Sequence, residues 1–124
     1  MIKSEFKISY DKEVKKVIPC YKIDLPIYKC EVLLLSVSNT KKLNKAWGRE
    51  GYGAGIRDYL EDHNQVVITF NEYSDENLVH ELHHAVDMIM LWIGHKVIGV
   101  DEPKAYLMGY LYKESIKKKH LLCK

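Results

Sequence analysis

The sequence predicts an α+β fold in which strands come first and two packed helices follow. Two observations favour this order. Short runs rich in Val, Ile and Leu occupy the first part of the chain, and apolar residues at helical spacing dominate the second part. The length of 124 residues is typical of one domain. Residues 1–124 are therefore expected to form a single unit around one hydrophobic core.

Three stretches carry strand signals. Apolar and polar residues alternate over residues 2–10, so that the apolar side chains fall on one side of an extended segment. Residues 27–38 are rich in Val, Leu and Ile, and residues 31–35 within them predict a buried strand. Residues 65–70 read Gln-Val-Val-Ile-Thr-Phe, which is a clear strand pattern.

A short helix and a loop are expected between the second and third strands. Asn39 and Thr40 are candidate caps for a helix that runs through Trp47 and is ended by Gly48. Residues 51–55, Gly-Tyr-Gly-Ala-Gly, predict a loop because glycines interrupt regular structure. This loop lacks the lysine and the spacing of a phosphate-binding loop. It is either a plain connection or a flexible rim over a cleft.

The second part of the chain predicts two longer helices. Ser74 is a candidate N-cap, acidic residues fill the first turn, and Gly94 is a candidate terminator. Between them the apolar positions recur at helical spacing: Leu78, Leu82, Val86, Ile89 and Ile93. A second helix is expected to start near Asp101, with Pro103 tolerated in its first turn.

Composition and charge exclude several classes of protein. With 19 basic and 17 acidic residues the net charge is +2, which argues against a nucleic-acid partner. The one basic cluster, Lys117–Lys119 with Lys124, is interpreted as a solvated helix end. No apolar run is long enough to cross a membrane, and the N-terminus lacks the hydrophobic region of a signal peptide. A soluble, cytoplasmic protein with no membrane partner is therefore expected.

Cysteine usage points to a reducing compartment. There are three cysteines and no Cys-x-x-Cys pair, so the chain does not resemble a disulfide framework. Free thiols packed as small apolar groups are favoured. Whether Cys20 and Cys30 pair stays open at this point.

The chemistry is expected at His80-Glu81-x-x-His84. Residues four positions apart lie one above the other on a helix, so His80 and His84 can bind one zinc ion. Glu81 is placed to take a proton from a metal-bound water. The alternative is that both histidines are merely polar residues on a solvated helix face.

A catalytic zinc site normally has three protein ligands and one open position. Glu102 is the predicted third ligand, because it begins the second helix and residues 94–100 are long enough to return the chain towards His84. The alternatives are that Glu102 only neutralises the helix dipole, or that His95 or another carboxylate is the ligand. Two imidazoles and a carboxylate can also hold iron(II), although the adjacent Glu81 favours hydrolysis with zinc.

The segment His-Glu-Leu-His-His-Ala-Val-Asp at 80–87, followed by Glu102 and Ala105, resembles the gluzincin branch of zinc peptidases. The brevity of the chain resembles the minimal gluzincins, and residues 101–111 resemble small zincin-like proteins of phages and prophages. The resemblance covers roughly residues 65–115. It implies a minimal zincin-like domain, with a small mixed sheet packed on the His-Glu-x-x-His helix and a C-terminal helix that carries the third ligand.

The resemblance also implies roles for individual residues. His80, His84 and Glu102 would be the zinc ligands, and Glu81 the general base. Residues 66–70 would be an edge strand above the cleft, to which an extended peptide adds as a further strand. Gluzincins add a Tyr or His that stabilises the oxyanion. Tyr106 is the candidate, with Tyr110 and His95 as alternatives.

The sequence therefore predicts a zinc-dependent hydrolase, most simply a small metallopeptidase with a peptide or protein substrate. The absence of the subsite domains of large gluzincins favours a narrow target. A non-catalytic zincin-fold binding protein or virion component with a structural metal is the alternative, and hydrolysis of a non-peptide amide is a third. If phage-encoded, the protein would act in the host cytoplasm. The sequence leaves the oligomeric state open.

Overall fold

A computed structural model describes residues 2–9, 17–47, 51–60, 63–95 and 101–124. Five strands and four α-helices occur in these ranges, and a single 3₁₀ turn at Pro26–Tyr28 follows the second strand. The strands are β1 (Ile2–Ser9), β2 (Val17–Leu25), β3 (Cys30–Leu34), β4 (Gly53–Leu60) and β5 (His63–Thr69). The helices are α1 (Val37–Trp47), α2 (Asp75–Trp92), α3 (Glu102–Ile116) and α4 (Lys119–Leu122).

The five strands form one mixed sheet in the order β1-β2-β3-β5-β4. The pair β3–β5 is parallel, with Val32 opposite Val66, and the other three pairs are antiparallel. A parallel pair needs a crossover connection, and α1 lies within it. The predicted α+β class is confirmed.

Helices cover the sheet on both faces. On one face, alternate strand residues such as Ile23, Val32 and Ile68 pack against Leu82 of α2 and Leu111 of α3. The opposite face carries a smaller cluster beneath α1: Ile18, Cys20, Leu33, Leu35, Leu43 and Val67. Since β3 and β5 lie in the middle of the sheet, their side chains are buried on both faces, as their continuous apolar runs predict.

The structure confirms the predicted ends of α2. The hydroxyl of Ser74 accepts a hydrogen bond from the backbone N–H of Asn77 at 3.0 Å, which is the usual N-cap arrangement. The helix ends at Trp92, and Gly94 follows with a φ of +76°, a left-handed conformation that favours glycine. Helix α2 thus has a fixed start and a fixed end beneath the sheet.

The start of α3 lies beside the second half of α2. Asp101 caps α3 by accepting from the backbone N–H of Lys104, and it also bonds His95 at 2.9 Å. The ammonium group of Lys104 lies 2.6 Å from the carboxylate of Asp87 on α2. The chain therefore returns along α2, as the third-ligand prediction required, although residues 96–100 of the connection lie outside the described part.

Three predictions for the sheet and the first helix need correction. Residues 53–55 belong to strand β4 rather than to a loop. Residues 66–70 do not form an edge strand, because β5 lies between β3 and β4, and β4 is the edge. Helix α1 begins at Val37, ahead of the expected caps, because the hydroxyl of Ser36 accepts from the N–H of Asn39.

Strand β2 was not predicted at all. Pro19 interrupts its alternation, and proline cannot donate to a strand ladder, so the run does not resemble an internal strand. The structure nevertheless pairs β2 with both β1 and β3. The carbonyl of Pro19 accepts a hydrogen bond from the side chain of Asn39 at 2.8 Å, which ties the strand to α1.

The three cysteines are free thiols, so Cys20 and Cys30 are not bridged. Both are buried, whereas Cys123 is exposed. Burial raises the pKa of Cys30 to about 12, and the neighbouring Glu31 adds to that effect. Within the described residues, no helix is long and apolar enough to span a bilayer.

Candidate metal centre

The two predicted histidine ligands lie together on α2. His80 and His84 are one helical turn apart, and their Nε2 atoms are separated by 3.2 Å. The ring centroids are 4.8 Å apart and the ring planes are inclined by 76°. Both side chains are on the exposed side of the helix, so an ion from solvent can reach both nitrogens.

This separation fits a zinc ion. Two nitrogens at about 2.0–2.1 Å from one ion, with a tetrahedral angle between them, lie about 3.3 Å apart. The observed 3.2 Å is close to that value. Imidazole nitrogen is also a donor that zinc prefers. The residues present therefore fit the ion that the motif predicts.

Glu81 completes the cluster, and its carboxylate is buried. The residue is 8% exposed, although it carries a formal charge. Its Oε1 atom lies 3.6 Å from Nε2 of His80, whereas its Oε2 atom is buried without a hydrogen-bond partner. A buried carboxylate oxygen with no partner is costly. A catalytic role or a bound ion would account for such a group.

Ligand atoms of His80, Glu81 and His84 all lie within 4.8 Å of one another. Among the described residues this is the one group of three or more such side chains that could hold a metal ion. Glu81 can take part either as a ligand or as a base beside the ion. The geometry brings together three of the five predicted site residues.

A cavity of about 560 Å³ opens over the cluster. Its floor is the histidine face of α2, and its sides come from the start of β4, the end of β5 and the segment before α2. The lining residues are Tyr52, Gly53, Ala54, Thr69, Phe70, Asn71, Glu72, Asn77, His80, Glu81, His84 and Met88. This volume is in the range of a small-molecule or peptide subsite.

Glu102 is not part of the cluster. It is the first residue of α3 and is exposed. The start of α3 lies beside Asp87, which is about one turn beyond His84 along α2. Glu102 is thus on the helix end that lies beside Asp87, and its role as third ligand stays a prediction.

The candidates for the oxyanion-stabilising group lie apart from the cavity. Tyr106 is 75% exposed on α3 and is not among the cavity residues. Tyr110 is further along the same helix, where partial burial and then Glu114 raise its pKa. His95 is bonded to Asp101. The role of Tyr106 stays a prediction.

The carboxylate of Asp87 forms a salt bridge with Lys104. Lys104 donates to Oδ1 at 2.6 Å, and this bond holds the pKa of Asp87 below its usual range. The other carboxylate oxygen lies 3.4 Å from Nδ1 of His83. His83 is exposed on α2 and lies beside Asp87, outside the metal-ligand cluster.

Nine of the twelve cavity residues were not predicted as site residues from the sequence, among them Tyr52, Gly53 and Asn77. Tyr52 and Gly53 lie in the glycine-rich segment 51–55, which the sequence predicts to be a loop. Glycine within a strand often marks a close approach of another group. A Cβ atom at Gly53 would lie 3.0 Å from Oε2 of Glu81, so a larger residue would press on that carboxylate.

Comparison of the chain with protein-family models, with curated proteins and with solved structures finds no match.

Proposed function

We propose that the protein is a zinc-dependent hydrolase, namely a small metallopeptidase of the gluzincin type. The observation that carries the proposal is the pair of imidazole nitrogens 3.2 Å apart on one helix face, with the buried carboxylate of Glu81 beside them at the floor of a cavity. His80 and His84 would hold the ion, and Glu102 would be the third ligand after a movement of its side chain.

When bound by these residues, zinc supplies Lewis-acid activation of a water molecule and of the substrate carbonyl group. Glu81 does the proton transfer. Its carboxylate lines the cavity, with Oε1 3.6 Å from Nε2 of His80, so it would accept a proton of the attacking water and then deliver it to the leaving amine. Burial helps, because electrostatic interactions are stronger where water is excluded.

A role for Glu81 as base also favours catalysis over a purely structural metal site. A structural zinc site is closed by four protein ligands and gains nothing from an adjacent, unpartnered carboxylate. In this chain that carboxylate is kept at the cost of a buried and unsatisfied oxygen. The alternative of a non-catalytic binding or virion-associated protein is therefore the weaker one. A phage or prophage origin is likewise a proposal.

The edge strand next to the cavity is β4, and it supports a peptide as substrate. Both backbone groups of Gly53 are bonded to the side chain of Thr69 on β5. Since backbone groups alternate in direction along a strand, those of Ala54 point away from β5, towards the side of β4 on which the described residues form no further strand. An extended peptide can pair there and place a carbonyl group over the histidines.

The test is hydrolysis of a mixed peptide library by the zinc-loaded protein, read by mass spectrometry, with Glu81→Gln as the matched inactive control. We expect cleavage by the wild type and a rate lower by about 10²–10⁴-fold in the variant. Equal cleavage by both proteins would point to a contaminating peptidase. Zinc-loaded wild type that cleaves no peptide, protein or amide substrate would refute the proposal.

The same assay identifies the group that stabilises the oxyanion. Tyr52 lies at the cavity and Tyr106 does not, so we compare Tyr52→Phe with Tyr106→Phe. Loss of kcat in Tyr106→Phe alone would support the role implied by the resemblance. Loss in Tyr52→Phe alone would assign the role to the tyrosine at the cavity.

A further inference from the structure

We propose that Gly53 and Thr69 act together as positioning residues, which hold the carboxylate of Glu81 in the orientation that its role as base requires. This inference rests on the proposed function. It concerns the wall of the cavity opposite α2, where β4 and β5 end beside the cluster. Neither residue would touch the substrate's reacting atoms or the ion.

The first step is the close approach of β4 to Glu81. A Cβ atom built on Gly53 would lie 3.0 Å from Oε2 of Glu81, which is tighter than nine in ten real Cβ contacts. Gly53 also has a φ of +133°, a conformation that side-chain-bearing residues rarely adopt. The backbone of Gly53 is therefore the surface against which Oε2 lies, and a larger residue would displace one or the other.

The second step is the way in which Gly53 is fixed. The hydroxyl of Thr69 accepts from the N–H of Gly53 at 3.0 Å and donates to its carbonyl at 3.2 Å. Thr69 is fully buried. One hydroxyl thus satisfies both backbone groups of Gly53, where an edge strand would otherwise be free to move. The position of Oε2 depends on this bond through Gly53.

The third step is the reason why the carboxylate of Glu81 needs this contact with Gly53. Oε2 of Glu81 has no hydrogen-bond partner of its own. The place of Oε2 is therefore set by packing against Gly53, and this contact in turn orients Oε1, which lies 3.6 Å from Nε2 of His80. A displacement of about 1 Å in a catalytic group can cost about 100-fold in rate.

Two pairs of variants test the proposal. Gly53→Ala is compared with Gly55→Ala, because Gly55 is on the same strand and a Cβ there would meet nothing within 4 Å. Thr69→Val removes the hydroxyl and keeps the shape, whereas Thr69→Ser keeps the hydroxyl. Zinc content is measured in all four, and we expect no change, since none of these residues is a ligand.

The first readout does not depend on activity. In protein labelled with ¹³C at glutamate carboxyl carbons, the resonance of Glu81 is assigned from its absence in Glu81→Gln. We expect Gly53→Ala and Thr69→Val to move this resonance beyond the spread seen in Gly55→Ala and Thr69→Ser. A resonance unmoved in Thr69→Val would overturn the proposal, whether or not the protein proves to be a hydrolase.

The second readout is kinetic. We expect Thr69→Val to lower kcat by about 10- to 100-fold with little change in KM, and Thr69→Ser to restore it. Equal kcat values in Thr69→Val and wild type would also overturn the proposal. Absence of hydrolysis in the wild type would refute the proposed function, and the carboxyl resonance would then decide the positioning role by itself.

Discussion

Replacement of Glu81 by glutamine is expected to leave the metal-free protein at least as stable as the wild type. Glu81 is 8% exposed, and its Oε2 atom is buried without a partner. A buried polar group left unsatisfied costs about 1–3 kcal/mol, and a carboxylate costs more than a neutral amide. We therefore expect Glu81→Gln to raise the free energy of unfolding by about 1 kcal/mol, within the range set by that penalty.

Glu114 offers a matched control. It is also 8% exposed and also lies on a helix, but Lys117 donates to both of its oxygens at 3.1 and 3.2 Å. Since the lysine is about half exposed, the pair is worth only about 0.5–1 kcal/mol. Glu114→Gln is therefore expected to lower the free energy of unfolding by up to that amount.

The assay is urea unfolding of the three metal-free proteins at pH 8, with the slope of the transition compared before the midpoints. Zinc is then added at about 100 times its dissociation constant, which should stabilise wild type and Glu81→Gln equally, by about 2.7 kcal/mol. A loss of stability in metal-free Glu81→Gln equal to that in Glu114→Gln would refute the reasoning. A smaller gain from zinc in Glu81→Gln would make Glu81 a ligand instead of a base.

Three further predictions concern stability and reactivity. Ser74→Ala should lower the free energy of unfolding by about 1 kcal/mol in urea, because it removes the N-cap of α2; an unchanged midpoint would contradict this. In native protein at pH 8 a thiol reagent should modify Cys123 alone, because Cys20 and Cys30 are buried and the raised pKa keeps the Cys30 thiol protonated. Fast modification of all three thiols without denaturant would contradict this. The lowered pKa of Asp87 means that its charge stabilises the fold above the unfolded pKa of about 3.9, and that this contribution is lost as pH falls through the lower folded value. The excess stability of metal-free wild type over Asp87→Asn, measured in urea, should therefore be present at neutral pH and absent well below pH 3.9; a constant difference across that range would contradict the assignment.

The helical half could be predicted because its signals are local. A serine cap, a 3.6-residue period and a terminal glycine define α2 within its own sequence. The ligand pair follows at once, because four residues of a helix fix the relation of His80 to His84. These parts of the site require no knowledge of the rest of the chain.

The sheet order and the wall of the site could not be predicted, because they depend on contacts between distant segments. Nothing local to residues 65–70 shows that β4 pairs outside them and makes β5 internal. From the sequence alone Gly53 resembles a loop residue. Only the structure shows that it approaches Glu81, which is 28 positions away. Pro19 hides β2 for a similar reason, since its place in the sheet is secured by Asn39 of α1.

The proposed role of Glu102 as third ligand requires a contact that would form only when zinc is bound. Glu102 is exposed at the start of α3, on the helix end that Lys104 ties to Asp87. Glu102→Ala is therefore included as a separate variant in the metal analysis below. Weaker zinc binding in this variant would support its role, and unaltered affinity would assign the third position to another group.

The central claim is that His80 and His84 bind zinc, and elemental mass spectrometry of the purified protein tests it most directly. The wild type is measured after zinc is supplied and excess metal removed, beside the double variant His80→Ala/His84→Ala. We expect about one zinc per chain in the wild type and none in the double variant. A wild type that retains no metal, or a double variant that retains as much as the wild type, would contradict the assignment of the metal centre.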